Sequence, residues 1–342
     1  MTTPENPVAT PPASPAGRAA IAQLRNWLES KIVGQPALVE RLVIALLADG
    51  HLLVEGAPGL AKTRAIRSLA EGITASFQRI QFTPDLLPGD VTGSDIYRPQ
   101  NGTFEFQAGP VFHNLVLADE INRAPAKVQS ALLEAMAERQ VTVGKQTYPL
   151  PELFLVMATQ NPIEQEGTYP LPEAQLDRFL MHVLVDYPDA ESERAILQLV
   201  RNELLENAPQ SGEPDNERSQ FEQIAIEDVL CARRDVLGLH LSPSVEEYIV
   251  QLVIASREPA RYDPELDSWI EFGASPRATL ALERCARAHA WLAGADFVSP
   301  ADVQAIAHDV LRHRIILSFE AEANGINPEQ LVTRLLERVP TA

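Results

Sequence analysis

The stretch Gly56-Ala57-Pro58-Gly59-Leu60-Ala61-Lys62-Thr63 constrains this chain more than any other. It follows the apolar run His51-Leu52-Leu53-Val54 and leads into a helical pattern from about Thr63 to Ile73, giving the order strand, loop, helix. Glycines let the backbone curl so that its N–H groups point inward at phosphate oxygens. The helix N-terminus adds the positive end of its dipole, and the lysine supplies a mobile charge. Thr63 is placed to ligate Mg²⁺ beside those phosphates. The general pattern has glycine immediately before the lysine, and Ala61 stands there instead. On these residues alone an ordinary Gly/Pro turn between a strand and a helix stays open. Lysine is scarce, with only Lys31, Lys62, Lys127 and Lys145 in the chain, so one inside this pattern is less readily incidental.

The 342 residues, 45% hydrophobic and 22% charged, suit a globular chain with room for two domains. The net charge of −19 repels a phosphate backbone and offers no general basic field for nucleic acid or an acidic membrane surface. Cys231 and Cys285 lack the spacing of a metal or redox pair, so buried thiols in a reducing compartment are expected. The N-terminus carries no basic start followed by an apolar core. The apolar stretch Leu42 to Val54 is broken by Asp49, Gly50 and His51 and is too short to span a bilayer. A cytoplasmic protein without membrane insertion is the expectation.

Residues 1–17 are rich in proline and small polar residues, and a disordered tail is expected there. Helices are expected from Arg18 to before Val33 and from Pro36 to Ala48, the second with proline in its first turn. After the phosphate loop and its helix come a strand at Arg79 to Phe82 and a hairpin from Tyr97 to Phe106 turning at Asn101-Gly102. Asn114 to Glu120 reads as an apolar strand ending in two carboxylates, and Val128 to Arg139 as an amphipathic helix. A short hairpin around Gly144 and strands at Leu153 to Ala158 and Phe179 to Val185 complete this half. Continuous apolar strands alternating with helices indicate a parallel sheet covered on both faces. Beyond Pro188 no strand signal recurs. Glu191 to Leu205 is helical, Asn207 to Gln220 a polar linker, and the rest reads as helices with caps such as Ser242-Pro243 and Ser299-Pro300.

Asp119 and Glu120 close a strand and so face the ligand crevice of an open parallel sheet. The first would hold Mg²⁺ and the second would polarise the water attacking a γ-phosphate, with a helix-capping Asp-Glu as the structural alternative. Asn161, at the end of the strand from Leu153, either orients that water or opens an Asn-Pro turn. Arg178 is either a surface arginine or a finger reaching a neighbouring subunit's nucleotide. Arg277 stands on the first turn of a helix capped by Ser275 and opposes its dipole, so it either faces solvent or meets a phosphate.

Taken together, the phosphate loop with Ala61, the stretch Leu-Ala-Asp119-Glu120-Ile-Asn122-Arg123-Ala-Pro and the long run from Ala158 through Asn161 and Arg178 to Phe179 resemble the MoxR family of AAA+ ATPases. The resemblance covers nearly everything from Ile32 to about Leu317, and Ala61 matches the family's own version of the loop. It implies an α/β fold, a P-loop AAA+ αβα sandwich with a parallel sheet over residues 18–188, and a small all-α lid over 189–342. It implies that Val33, Gly34 and Gln35 lie near the adenine of ATP and that Gly56, Ala57, Pro58, Gly59, Leu60, Ala61, Lys62 and Thr63 form Walker A. Asp119 and Glu120 then form Walker B, with Thr63 and Asp119 holding Mg²⁺. Asn161 would be sensor 1, Arg178 the arginine finger and Arg277 the sensor 2 arginine, brought from the lid to the phosphates. Arg123 matches the family pattern without a role that chemistry assigns. The two hairpins look like the inserts of the magnesium chelatase branch. A hexameric ring is implied, along with chaperone-like maturation of client proteins, by metal or cofactor insertion among other routes, and a separate partner carrying a von Willebrand factor A domain. Two other readings are a nucleotide-gated assembly scaffold with little hydrolysis and a magnesium-chelatase-like or DNA-associated motor subunit.

Overall fold

The computed structural model describes residues 15–100, 102–162, 167–206 and 221–341. The tail expected over residues 1–17 lies outside the described residues as far as residue 14, and residues 15–17 open helix α1 (Pro15–Lys31). Proline suits the first helical position, where its missing N–H would have no partner anyway, so the helix begins before Arg18. The chain continues as α2 (Pro36–Leu47), β1 (Leu52–Gly56), α3 (Lys62–Gly72), β2 (Phe77–Gln81) and α4 (Pro88–Thr92). Next come the hairpin β3 (Gly93–Arg98) and β4 (Thr103–Ala108), then β5 (Leu115–Asp119) and α5 (Ala126–Glu138). A second hairpin, β6 (Gln140–Val143) and β7 (Gln146–Pro149), precedes β8 (Leu155–Gln160), α6 (Glu173–Leu176) and β9 (Met181–Val185). Asn101 of the expected hairpin turn lies outside the described residues.

Five parallel strands form the central sheet in the order β2-β5-β8-β1-β9. Side chains of successive residues pass to opposite faces. Leu52, Val54, Leu115 and Leu117 join one buried cluster, while Leu53, Val116, Ala118 and Val156 join the other. Helices cover both faces, which is why these strands read as unbroken apolar runs. In a parallel sheet all carboxyl ends share one edge, so the loops after β1, β5 and β8 meet there.

The second half contains α7 (Ala190–Glu206), α8 (Ile226–Leu237), α9 (Pro243–Arg257), α10 (Pro264–Trp269) and α11 (Pro276–Leu292). It ends with α12 (Pro300–Leu311), α13 (Phe319–Ala323) and α14 (Pro328–Arg338). Ser242, Ser275 and Ser299 each cap a helix whose first turn carries proline. The linker expected over Asn207 to Gln220 falls outside the described residues. One expectation is corrected here, because short strands do recur after Pro188. His240–Leu241 pairs with Phe297–Val298, and Ile270–Phe272 pairs with Ile316–Leu317. Runs of two or three residues are too short to show a period of two, and helix packing rather than local pattern brings them side by side. The same cluster that buries Leu24 of α1 and Leu42 of α2 also buries Val229, Leu252, Leu282 and Val332. One apolar core therefore joins residues on both sides of Pro188, where the division into two domains is expected.

Candidate nucleotide site

The loop after β1 is shaped by backbone conformations that few residues tolerate. Gly59 has φ 86°, and Ala61 sits at φ 57°, ψ 12° immediately before α3. A β-carbon on Gly56 would lie 2.6 Å from the carbonyl oxygen of Val185 on β9, so a side chain there forces two strands apart. Ala57 and Leu60 turn inward and are buried, which anchors the loop to the core and leaves its outer backbone free to curl. The Lys62 ammonium donates to the carbonyl of Gly56 and, at 3.3 Å, to that of Gln160. Burial pushes its pKa down, opposed by the nearby carboxylates of Asp119, Glu120 and Glu55. A partly buried cation resting on two neutral carbonyls is poised for a stronger anionic partner.

Asp119 ends β5, and Glu120 follows it at φ 56°, ψ 51°, a left-handed conformation that points its side chain away from the strand direction. Non-glycine residues held there cost on the order of 1 kcal/mol or more and cluster at functional sites. Thr159 of β8 joins the two carboxylate residues: its hydroxyl donates to Asp119 Oδ1 at 2.6 Å and accepts from the Glu120 amide at 2.9 Å. Arg79 of β2 pairs with Asp119 Oδ2 at 2.7 Å. Glu120 Oε2 accepts from Gln81 Nε2 at 2.8 Å and from Arg123 at 3.0 Å. Asn161 is buried at the end of β8 and lines, with Lys62, Thr63, Asp119 and Glu120, a cleft of about 350 Å³.

A second cleft of about 300 Å³ adjoins the first, with Pro58 to Ala61 as their common wall. Val33 and Gln35 line it together with Tyr187 and the α7 residues Ile196 and Leu199. Gly34 turns at φ 80°, where a β-carbon would come within 2.8 Å of Ser192 Cβ, and Gln35 Nε2 donates to the carbonyl of Asp186 at 2.9 Å. An apolar slot beside a phosphate cradle suits a flat base at one end and a charged tail at the other.

Arg178 and Arg277 stand elsewhere, lining together a cleft of about 320 Å³ with Asp49, Gly50 and His51. Those three residues precede β1, and Arg178 precedes β9, which runs parallel to β1 with Leu52 opposite Met181. Both arginines are therefore at the amino edge of the sheet, a strand length of roughly 16 Å from the phosphate loop. Asp177 organises this edge, accepting from Ser275 Oγ at 2.8 Å and from Arg314 Nε at 3.0 Å, with Arg277 at 3.5 Å. Arg178 is half-buried and makes no ion pair among the described residues, and its Nε has no partner there. The expectation that the lid carries Arg277 to the phosphates is not met within the chain. The helix bearing it packs so that Ser275 and Arg277 close on Asp177 instead.

Three residues of the site escape a reading of motifs. Thr159 lies two positions before Asn161 on a buried strand, and a threonine there looks like any β-branched strand residue. Arg79 and Gln81 alternate on β2 and reach Asp119 and Glu120 only because β2 is the next strand in the sheet. The signal that could have found them is this alternation, since two polar residues pointing the same way at a strand end beside Walker B have few other partners. The donor set fits a nucleotide carrying Mg²⁺. Among the described residues no group of three or more His, Cys, Asp or Glu could hold a metal unaided. Mg²⁺ is usually held through phosphate oxygens and water with one or two protein oxygens, and the Thr63 hydroxyl and Asp119, which line this cleft, are the ones that could serve.

A five-stranded parallel sheet carrying this loop and these carboxylates defines a P-loop ATPase of the AAA class, and comparison with known proteins agrees. The sequence profile of the ATPase family associated with various cellular activities (AAA) matches residues 51–181, and that of the AAA lid domain matches residues 267–335. The chain is 44% identical over 335 residues to Chaperone MoxR1 of Mycobacterium tuberculosis, covering 96% of this chain and 85% of that one. It is 32% identical to Protein MoxR of Methylorubrum extorquens over 94% of this chain and 95% of the other. The crystal structure of a protein from Cytophaga hutchinsonii superposes with a TM-score of 0.85 at 46% identity, covering 96% of both chains. The chain belongs to the MoxR family of AAA ATPases.

Proposed function

We propose that this protein binds ATP across the two adjoining clefts, hydrolyses it, and uses the turnover to remodel or mature a client protein. The observation that carries the reading is the convergence of Lys62, Asp119, Glu120 and Asn161 on one cleft. Lys62 and the backbone N–H groups of Gly59 to Thr63 hold the β- and γ-phosphates. Glu120 accepts the proton of the attacking water, Asn161 orients that water, and the γ-phosphoryl group passes to it, leaving ADP and phosphate. Thr63 and Asp119 would hold Mg²⁺, which when bound would supply neutralisation of charge on the phosphate oxygens. Before the reaction Gln81 and Arg123 must release Glu120, and Arg79 must release Asp119.

Arg178 and Arg277 meet the γ-phosphate of a neighbouring subunit, because they stand at the opposite edge of their own sheet from their own phosphate loop. A homo-oligomeric ring, hexameric in this reading, closes each site. AAA proteins typically assemble as rings, and the name of the M. tuberculosis relative supports the chaperone role. The client, a partner with a von Willebrand factor A domain, the cytoplasmic location and the division into a core and a lid at residue 188 belong to the same proposal. Among the described residues no helix is long and apolar enough to cross a membrane. Steady-state ATP turnover tests the reading. Glu120→Gln and Arg178→Ala should each lower it by about 10² or more, and undiminished turnover in both would sink the mechanism.

One observation favours a second reading, a nucleotide-gated scaffold with little hydrolysis. Both hydrogen bonds to Glu120 Oε2 hold the catalytic oxygen on protein donors. Wild-type turnover no faster than that of Glu120→Gln would select the scaffold.

A further inference from the structure

Helix α7 has two faces. Ile196, Leu199 and Glu203 turn toward the phosphate loop, where Glu203 pairs with Arg64 and the two apolar residues wall the base cleft. Leu197, Val200 and Leu204 follow one another along the adjoining side at helical spacing and are exposed, Leu197 at 67% and Leu204 at 68%, with Val200 on the border and also lining that cleft. The helix is acidic, with four glutamates against two arginines. An exposed apolar stripe of this length, left uncovered among the described residues, marks an interaction site.

The opposite edge of the molecule carries a matching groove. A cavity of about 440 Å³ has an apolar floor that includes Leu230 and the exposed Leu237, and a rim of four arginines against two carboxylates. Arg233 in its wall is 8% exposed and donates to the carbonyl of Leu46 at 2.8 Å and to Asp49 at 2.6 Å. Its second terminal nitrogen is buried and has no partner among the described residues. The groove shares Asp49 and Arg284 with the cleft that holds Arg178 and Arg277. The apolar stripe thus adjoins one half of an ATP site and the arginine groove adjoins the other half.

We infer that the outer stripe of α7, Leu197, Val200 and Leu204, docks in the groove rimmed by Arg233, Arg234 and Arg284 of a second copy of this chain, and that this contact seats the second copy's Arg178 and Arg277 at the nucleotide. The inference rests on the trans reading proposed above and names the surface that enforces it. A head-to-tail contact of this kind uses two different patches on each copy. Docking removes the apolar stripe from water, and the groove offers an acidic helix both an apolar floor and a rim in which arginines outnumber carboxylates.

Two full-length surface variants test it by sedimentation velocity in saturating Mg-ATP. Leu204→Glu spoils the stripe and leaves the groove intact, while Arg234→Glu with Arg284→Glu spoils the groove and leaves the stripe intact. Each alone should lose assembly, its apparent dissociation constant rising at least about tenfold over wild type. An equimolar mixture should form a heterodimer and stop there, since one good stripe meets one good groove. Formation of that heterodimer also shows that both variants fold. Turnover by the heterodimer should require Arg178 only in the Leu204→Glu copy. Wild-type assembly by either variant, a mixture that stays monomeric, or a wild type that never assembles with ATP would overturn the docking. A heterodimer whose turnover ignores Arg178 in that copy would instead leave the contact standing and overturn the seating of the arginine, and with it the trans mechanism.

Discussion

Ala61 holds a conformation that costs an L-residue roughly 1–2 kcal/mol, at the turn that aims the phosphate loop into α3. Glycine relieves that strain at the price of a more flexible unfolded chain. Ala61→Gly should therefore leave ATP affinity within about threefold and change stability by no more than about 1 kcal/mol, toward greater stability. A thermal melt and a nucleotide titration check this, and a marked loss of either would show that the methyl group has a structural role. Thr159 makes a stronger prediction. Its buried hydroxyl holds Asp119 by one bond and the Glu120 backbone by another, so Thr159→Val keeps the shape and leaves both groups unheld. The lost bonds are worth about 1–3 kcal/mol, which should appear as a ten- to hundredfold lower kcat with ATP affinity nearly unchanged. At this scale the sequence was legible where chemistry demands a residue type in a fixed pattern, as at Lys62, Asp119 and Glu120. It was silent on Thr159, Arg79 and Gln81, whose roles depend on which strand lies next to which.

The two hairpins are fastened to each other by aromatic packing, and Val141 of the second is also buried in the core. Phe106 of β4 stacks on Tyr148 of β7 with ring centroids 3.9 Å apart, and Phe106 also meets Phe112 edge-on at 5.6 Å. Tyr97 and Phe104, a further ring pair at 5.3 Å, remain exposed on the first hairpin. Tyr148→Ala removes a stack worth about 1 kcal/mol. Hydrogen exchange should quicken in residues 93–108 and 140–149 while the main sheet stays protected. Equal quickening throughout would contradict the reading of the hairpins as a locally held pair. Periodicity found every strand of the central sheet with ends displaced by a residue or two, and it found both hairpins, though the first begins at Gly93, four residues before the expected Tyr97, because alternating and continuous apolar runs are properties of the strand itself. It missed the paired segments His240–Leu241 and Ile270–Phe272, which exist only because helices bring two loops together.

Across the whole molecule, buried cations and histidines tie the lid to the sheet. Arg314 of the lid is buried and bonds Asp177 and the carbonyls of Phe179 and Leu180, holding the strand entry on which Arg178 stands. Two histidines are buried in neutral form, His313 at this junction and His51 within the sheet against Met136 and Val156. Burial, with Arg139 nearby, lowers His51 to about 3, and burial with Arg314 nearby takes His313 well below its usual range. A depressed histidine pKa means that the unfolded chain binds the extra proton first. Stability is then complete above about pH 6.5 and falls as pH drops from there toward 3. His51 alone should remove about 2 kcal/mol by pH 5. Thermal melts from pH 7.5 to 5 should show a declining Tm, and a flat profile would contradict the neutral, buried assignment. The position of Arg277 is a whole-molecule property too: the lid packs it against Asp177, and no motif encodes that. Hence the central claim, that each chain carries two halves of different ATP sites at opposite edges of one sheet. Measuring ATP binding and steady-state turnover side by side for Lys62→Ala and Arg178→Ala tests it most directly. Lys62→Ala should lose binding and turnover together, whereas Arg178→Ala should keep near wild-type binding and lose turnover. Equal loss of binding in both variants would contradict the account.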